Sequence, residues 1–206
     1  MITEAVTDRS TIPLAAWVQT LKRSSLNERL MTASGPDLIS FALGLPAAEL
    51  FPAAAVAQAF QQALSAGAQT LQYGAPSARL KEHIVELMKR RGIQCSTDEV
   101  HLISGAQQGL SLLACLFVDG GGDVVMEQAS YPGFHQVLQP YSCRVLTVRT
   151  DLETGLDVDE LEHLLARGVR PRLLYMMTEH HNPLGVSVSY DKRVRLAELV
   201  GSTAFP

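Results

Sequence analysis

From about residue 98 onward, short, mainly apolar runs alternate with stretches of helical spacing. That alternation limits the fold more than any other feature of the chain. The runs 100–103, 123–126, 143–148 and 173–177 read as strands. The segments 106–117, 131–140, 157–167 and 190–200 read as helices, and the first of them is apolar enough to be buried. Strand runs without polar alternation are covered on both faces. Strands separated by helices pair in parallel, with helices on the two sides of one sheet. The spacing therefore predicts an α/β sheet domain of four or five strands, preceded by a helical arm.

Upstream, 14–33 reads as an amphipathic helix with Leu14, Trp17, Leu21 and Leu30 on its apolar side. The segment ISFALGLPAAELFP follows. Gly44, Pro46 and Pro52 make it a loop, and its apolar density places it against protein. An Ala- and Gln-rich helix is expected at 53–66. A second is expected after Ser77, a capping residue, with Leu80, Ile84, Leu87 and Met88 at helical spacing up to Gly92. The division is an arm or small-domain part at 1–52 and the sheet domain at 53–206. The last strand–helix pair runs into VGSTAFP, where a doubly wound sheet normally continues, so the chain is expected to be cut short.

Composition narrows the function. With 206 residues, 47% apolar and 18% charged, the chain can bury a core and is not a disordered segment. A net charge of −4 gives no footprint for a phosphate backbone, so no nucleic-acid partner is expected. No apolar run approaches the about 18 residues of a membrane span, and MITEAVTDRS has no basic region followed by an apolar stretch, so no secretory signal is expected. Cys95, Cys115 and Cys143 are too few and too widely spaced for a disulfide framework or a zinc site. They suit a reduced, cytoplasmic chain.

Three segments at expected strand ends carry polar chemistry. Ser104-Gly105-Ala106-Gln107 lies where a strand run turns into a helix; the helix N-terminus offers unpaired N–H groups and a positive dipole end, which suit a phosphate. Tyr131-Pro132-Gly133 supplies an aromatic ring that can stack on a flat ligand. His181-Asn182-Pro183-Leu184-Gly185 supplies a carboxamide in a fixed turn. Each taken alone also reads as an ordinary turn. The run Glu179-His180-His181 lacks metal-ligand spacing, and no metal is expected. There is no G-x-x-x-x-G-K-[ST] and no G-x-G-x-x-G for a nucleotide.

Taken together and in order, these segments resemble the fold-type I pyridoxal-phosphate aminotransferases of class I/II, most of all the aminoadipate/kynurenine/valine–pyruvate-type subgroup. ISFALGLPAAELFP is similar to that family's ISFAGGLPDPELFP. Leu71-Gln72-Tyr73-Gly74 is similar to its LQYG, SGAQQGL to its SGSQQAL, EQASYPGF to its E-x-P-x-Y-x-G, and HNPLG to its QNPTG. The resemblance implies the large-domain sheet of that fold, incomplete here, and pyridoxal 5′-phosphate as cofactor. It implies that Ser104, Gly105, Ala106 and Gln107 hold the cofactor phosphate, that Tyr131 stacks on the ring, and that Asn182 bonds the ring's hydroxyl oxygen. It implies a homodimer in which Tyr73 reaches the neighbouring subunit's phosphate, and places Gly44 near the carboxylate of an amino acid or 2-oxo acid substrate.

The departures are as informative. The family's cofactor-linked Lys, in an S-x-[ST]-K-type segment, lies well downstream of its NP-x-G motif. So do the Asp that pairs with the ring nitrogen, its companion Tyr and the Arg that binds the substrate carboxylate. This chain ends 21 residues after Gly185, and Lys22, Lys81, Lys89 and Lys192 stand in no such context. Leu43 replaces a usual Gly, and Leu184 a usual Thr. The expectation is the amino-terminal part of an aminotransferase, inactive alone because the amine that shuttles the proton is missing. The alternative is a non-catalytic cofactor-binding module, or one subunit of a split enzyme. A third reading, a regulator fusing a DNA-binding domain to this fold, is not expected, since about a dozen residues precede the arm and the charge is acidic.

Overall fold

Why the second half folds as it does is clearest at its central strand. In a computed structural model of the chain, which describes residues 15, 17–18 and 46–203, β1 (Asp123–Glu127) is DVVME and is buried from its second residue onward. It pairs in parallel with β2 (Arg144–Val148) on one side and β5 (Pro171–Tyr175) on the other. The register runs from Asp123 opposite Arg144 to Glu127 opposite Val148, and from Val124 opposite Leu173 to Met126 opposite Tyr175. Asp123 and Arg144 lock the first pair of strands with two bonds of 2.7 and 2.8 Å.

Side chains alternate across the sheet and fill two cores. Val125, Val148 and Leu174 face one, with Leu161 and Leu165 from α5 (Val158–Ala166) and Leu196 from α6 (Tyr190–Thr203). Val124, Met126, Leu173 and Tyr175 face the other. There they meet Ala114 of α3 (Gly105–Phe117), Val118 just beyond it, and Phe134, Val137 and Leu138 of α4 (Pro132–Leu138). The Phe134 and Tyr175 rings stack with centroids 4.1 Å apart. Parallel strands with helices on both faces are thus the architecture the apolar runs imply.

The chain leaves β1, lays β2 on one side, then crosses to lay β5 on the other. The order reverses between β1 and β5, and in open parallel sheets that is where a crevice opens at the carboxyl ends of the strands. A short antiparallel ribbon, β3 (Thr150–Asp151) with β4 (Gly155–Leu156), interrupts the crossover. Its turn is built by Asp151, whose Oδ1 accepts from the Glu153 and Thr154 amides and the Thr154 hydroxyl. The Lys192 amine closes it, donating to Thr154 Oγ1 and to Gly155 O.

The described residues from 46 to Ser104 form a separate compact unit. It contains α1 (Ala53–Ser65) and α2 (Ala78–Arg90), as the helical spacing predicts. Ser77 caps α2, its hydroxyl accepting from the Leu80 amide. Ser96 and Glu99 form a capping box around the single turn Thr97–Glu99, and its Thr97 carbonyl accepts from Lys81 Nζ of α2.

Three expectations are corrected. The run 100–103 is not a strand: Val100 is extended, but among the described residues nothing pairs with this segment, and a strand exists only with a ladder partner. The parallel sheet accordingly has three strands rather than four or five. Helix α3 is not buried all round; Ala114 is its one buried residue, while Leu112, Leu113 and Leu116 are exposed. Its 110–114–118 stripe faces the core, and a single sheet layer covers only one side of a helix. The helix expected at 14–33 and the loop around Gly44 fall almost wholly outside the described residues.

Candidate functional site

The carboxyl ends of β1 and β5 lie side by side, so the loops leaving them share the crevice of the strand-order reversal. From β1 the chain passes Ser130 and Tyr131 into α4. Tyr131 is the N-cap residue and Pro132 fills the first helical position, where its missing N–H costs nothing. From β5 it passes into the 176–189 loop that carries Asn182.

Gln107, in the first turn of α3, joins this edge. Its Nε2 donates to the Gly133 carbonyl at 2.8 Å. Gly133 is needed for close approach: a Cβ there would run into Cε1 and Cζ of the Tyr131 ring and stand 2.6 Å from Gln107 Oε1. The half-buried Tyr131 ring therefore lies close against the Gly133 backbone, beside the Gln107 carboxamide. Gly105 begins α3 at φ 79, a left-handed conformation that a side chain disfavours, with open space where a Cβ would be. Its amide, with those of Ala106 and Gln107, belongs to the unpaired N–H set at the start of a 13-residue helix.

Two buried polar atoms of this cluster, Gln107 Oε1 and Ser130 Oγ, have no hydrogen-bond partner among the described residues. Buried polar atoms are normally satisfied, so an unmet acceptor and an unmet hydroxyl mark a place built for something else. Beneath them Tyr175 is partly buried; burial first, then the nearby Tyr131 and Glu127, pushes its phenol above the ordinary value.

Asn182 is exposed at the tip of its loop, and its peptide bond to Pro183 is cis. Its backbone N–H meets Met177 Sδ at 3.3 Å. The loop base is clamped by Arg193 of α6, which donates to the Val188 and Thr178 carbonyls and to Glu179 at 2.8 Å. That guanidinium holds the Glu179 carboxyl below its ordinary value.

Of the residues singled out in the sequence, Gly105, Ala106, Gln107, Tyr131 and Asn182 belong to one unit and to its carboxyl edge. Ser104 and Tyr73 lie in the other unit; Tyr73 is 98% exposed. Gly44 lies outside the described residues. Sequence reasoning missed Ser130, Gly133 as the seat of the Tyr131 ring, and Glu127 with His181 beneath Asn182. Glu127 directly after the apolar Val124–Met126 was a signal available in the sequence, since a carboxylate is rarely buried without a task.

The family of class I and II aminotransferases matches residues 36–204. A 2-aminoadipate transaminase of Thermus thermophilus is 36% identical over 183 residues, covering 87% of this chain and 44% of that protein. The aromatic-amino-acid aminotransferase 1 of Thermococcus litoralis is 32% identical over 193 residues, covering 90% of this chain and 46% of that protein. The crystal structure of an α-aminoadipate aminotransferase from Thermus thermophilus, complexed with N-(5′-phosphopyridoxyl)-L-leucine, superposes with a TM-score of 0.77 at 31% identity, over 93% of this chain and 49% of that one. The chain thus spans about half the length of the curated relatives it matches. It belongs to the class I and II aminotransferases, the pyridoxal-phosphate-dependent family of fold type I.

Proposed function

We propose that this chain provides the phosphate- and ring-binding part of an aminotransferase that moves an amino group between an amino acid and a 2-oxo acid. The observation that carries the reading is the Gln107–Gly133–Tyr131 cluster at the start of α3, with two buried polar atoms left unmet beside it. These residues fit pyridoxal 5′-phosphate. The first amides of α3, with Gln107, suit its phosphate, Tyr131 its ring face, and the Asn182 carboxamide its ring oxygen; Ser104 is assigned to the phosphate by the resemblance alone. The unmet Ser130 hydroxyl adds a further donor at the same edge. Bound there, the cofactor supplies an electron-withdrawing ring and an aldehyde that carries the amino group.

Gly44 is assigned to the substrate carboxylate by the resemblance alone. Homodimer formation is part of the proposal, and the exposure of Tyr73 supports its reaching a second subunit. So is the boundary at 52/53 between an arm and the cofactor domain. Lys192 is the one lysine after Gly105, and its amine is held by Thr154 and Gly155 at the β3–β4 turn. The chain by itself is therefore proposed to bind cofactor without turning over substrate.

The test is a pyridoxal 5′-phosphate titration of the 206-residue chain, read by the cofactor's absorbance and by melting temperature. Saturable binding that weakens in Y131A and N182A is expected, with no transamination from a panel of amino donors. Binding that survives both substitutions unchanged, or robust turnover, would overturn the proposal.

A further inference from the structure

The loop that presents Asn182 is held from below. Val188 N donates to Thr178 O at 3.0 Å, His180 N to Ser187 Oγ at 3.1 Å, and His181 N to Val186 O at 2.8 Å. These rungs leave 182–185 as the tip. Asn182 is exposed, and His181, the residue before it, is 1% exposed.

The His181 ring turns under the tip. Its Nδ1 accepts from the Leu184 amide at 3.3 Å, and its Nε2 stands 3.1 Å from Glu127 Oε2. A ring nitrogen that accepts carries no proton, so the proton of the neutral ring sits on Nε2, toward the carboxylate. The approach is close but off the line of a well-aligned hydrogen bond. It is an electrostatic contact between two side chains with no exposed surface.

Glu127 is the last residue of β1 and is 1% exposed. Its Oε1 accepts from Thr150 Oγ1 at 3.1 Å, and its Oε2 accepts from the Met177 amide at 2.9 Å. One buried carboxylate thus ties together the end of β1, the start of β3, the exit from β5 and the Asn182 tip. Burying a carboxylate is costly, and an apolar residue of similar volume would fill the space without that cost. What the carboxylate adds is a fixed position of the tip relative to β1, and so relative to Tyr131 four residues further on.

We propose that Glu127 and His181 are positioning residues, a buried pair that holds the Asn182 carboxamide where it meets the oxygen on the ligand ring. This rests on the cofactor reading above for the identity of the ligand, and on the contacts of the tip for its geometry. Glutamine at 181 can present an N–H toward Glu127 and accept from Leu184; leucine can do neither.

The experiment compares the full chain with H181Q, H181L and N182A by two readouts. The first is amide hydrogen exchange over 177–187 without ligand. H181L should speed exchange at Leu184 and Met177 by about tenfold, with β1 amides unchanged, and H181Q should retain protection. The second is the affinity ratio of pyridoxal 5′-phosphate to its analogue lacking the ring hydroxyl. The ratio should collapse in H181L as it does in N182A, and should persist in H181Q. Histidine 15N shifts of the unmodified chain add a check that needs no variant: His181 should carry its proton on Nε2.

Unchanged exchange in H181L, equal loss of affinity for both compounds, failure of H181Q to rescue, or an Nδ1–H tautomer would each overturn the pair's role. If the unmodified chain binds neither compound, it is the cofactor reading that fails, and the exchange and tautomer results still decide whether the pair holds the tip.

Discussion

Alanine at Gly133 sets two opposing effects against each other, and their magnitudes predict an unusual outcome. Gly133 is the second residue of α4, and its backbone is outside the left-handed region, so alanine suits the helix better by up to about 1 kcal/mol. The new methyl would overlap the Tyr131 ring and stand 2.6 Å from Gln107 Oε1. Something must move, and the half-buried Tyr131 ring has solvent to move into. Displacing the Gln107 carboxamide would also loosen its 2.8 Å bond to the Gly133 carbonyl, worth about 0.5–1.5 kcal/mol. Gain and loss nearly cancel, so stability should change by about 1 kcal/mol or less, a melting shift of about 2–4 °C at this chain length. Ligand binding has no such compensation. An aromatic ring stacked on a flat ligand contributes about 0.5–1.5 kcal/mol, so the dissociation constant should rise about two- to twelvefold. Cofactor titration and thermal melts on the unmodified chain, G133A, Y131A and the double variant decide the matter. In the Y131A background there is no ring to displace, so G133A should weaken binding much less, by no more than the displaced Gln107 carboxamide contributes. If G133A weakens binding as much without the ring as with it, the claim that Gly133 acts by seating Tyr131 is wrong.

Two further outcomes follow from the same contacts. F134A removes a fully buried ring stacked on Tyr175 and should cost about 3–5 kcal/mol in urea unfolding; a cost under about 1 kcal/mol would mean that α4 is not anchored by that ring. Arg144 holds the Asp123 carboxyl low, the Thr154 hydroxyl and amide hold Asp151 low, and Arg193 holds Glu179 low. Depressed carboxyls contribute stability above their unfolded values and lose it as pH falls through the folded ones, so the melting temperature should be level from neutral pH to about 5 and decline below about 4. A decline beginning well above pH 5 would point to other groups.

The parallel strands and the helices of 105–203 are legible because each is fixed locally; the two-residue β3 and β4 are too short to carry such a signal and are not read. An apolar run such as VVM can be satisfied only between two layers, and, in the other unit, Ser77 before a periodic segment marks a helix start. The run 100–103 has the same local character, yet it lacks a ladder, because pairing is a property of two segments and the sequence of one does not report the other. Within the site, Tyr131 and Asn182 were legible as residue types at strand ends. Gly133 was legible only as part of a turn, since its close approach to Gln107 joins residues 26 positions apart. Glu127 and His181 were harder still. One ends an apolar strand and the other begins an Asn-Pro turn, and their meeting depends on the crossover that places β5 beside β1.

That crossover gives the two halves of the proposed ring site a common reference. Tyr131 is held by short-range means: four residues beyond β1, seated on its own helix and braced by Gln107. Asn182 is held by long-range means, through a loop whose floor is the β1 carboxylate. Both positions are therefore measured from Glu127, the last residue of the central strand of the parallel sheet. A flat ligand contacting ring and carboxamide together would bind two elements whose separation is set by one strand end, not by the sum of several flexible connections. Loosening β5 against β1 would release Asn182 and leave Tyr131 in place. Loosening α3 against α4 would do the reverse. The loss of ring-oxygen recognition and the loss of stacking should thus be separable by mutation, although the two side chains serve one ligand.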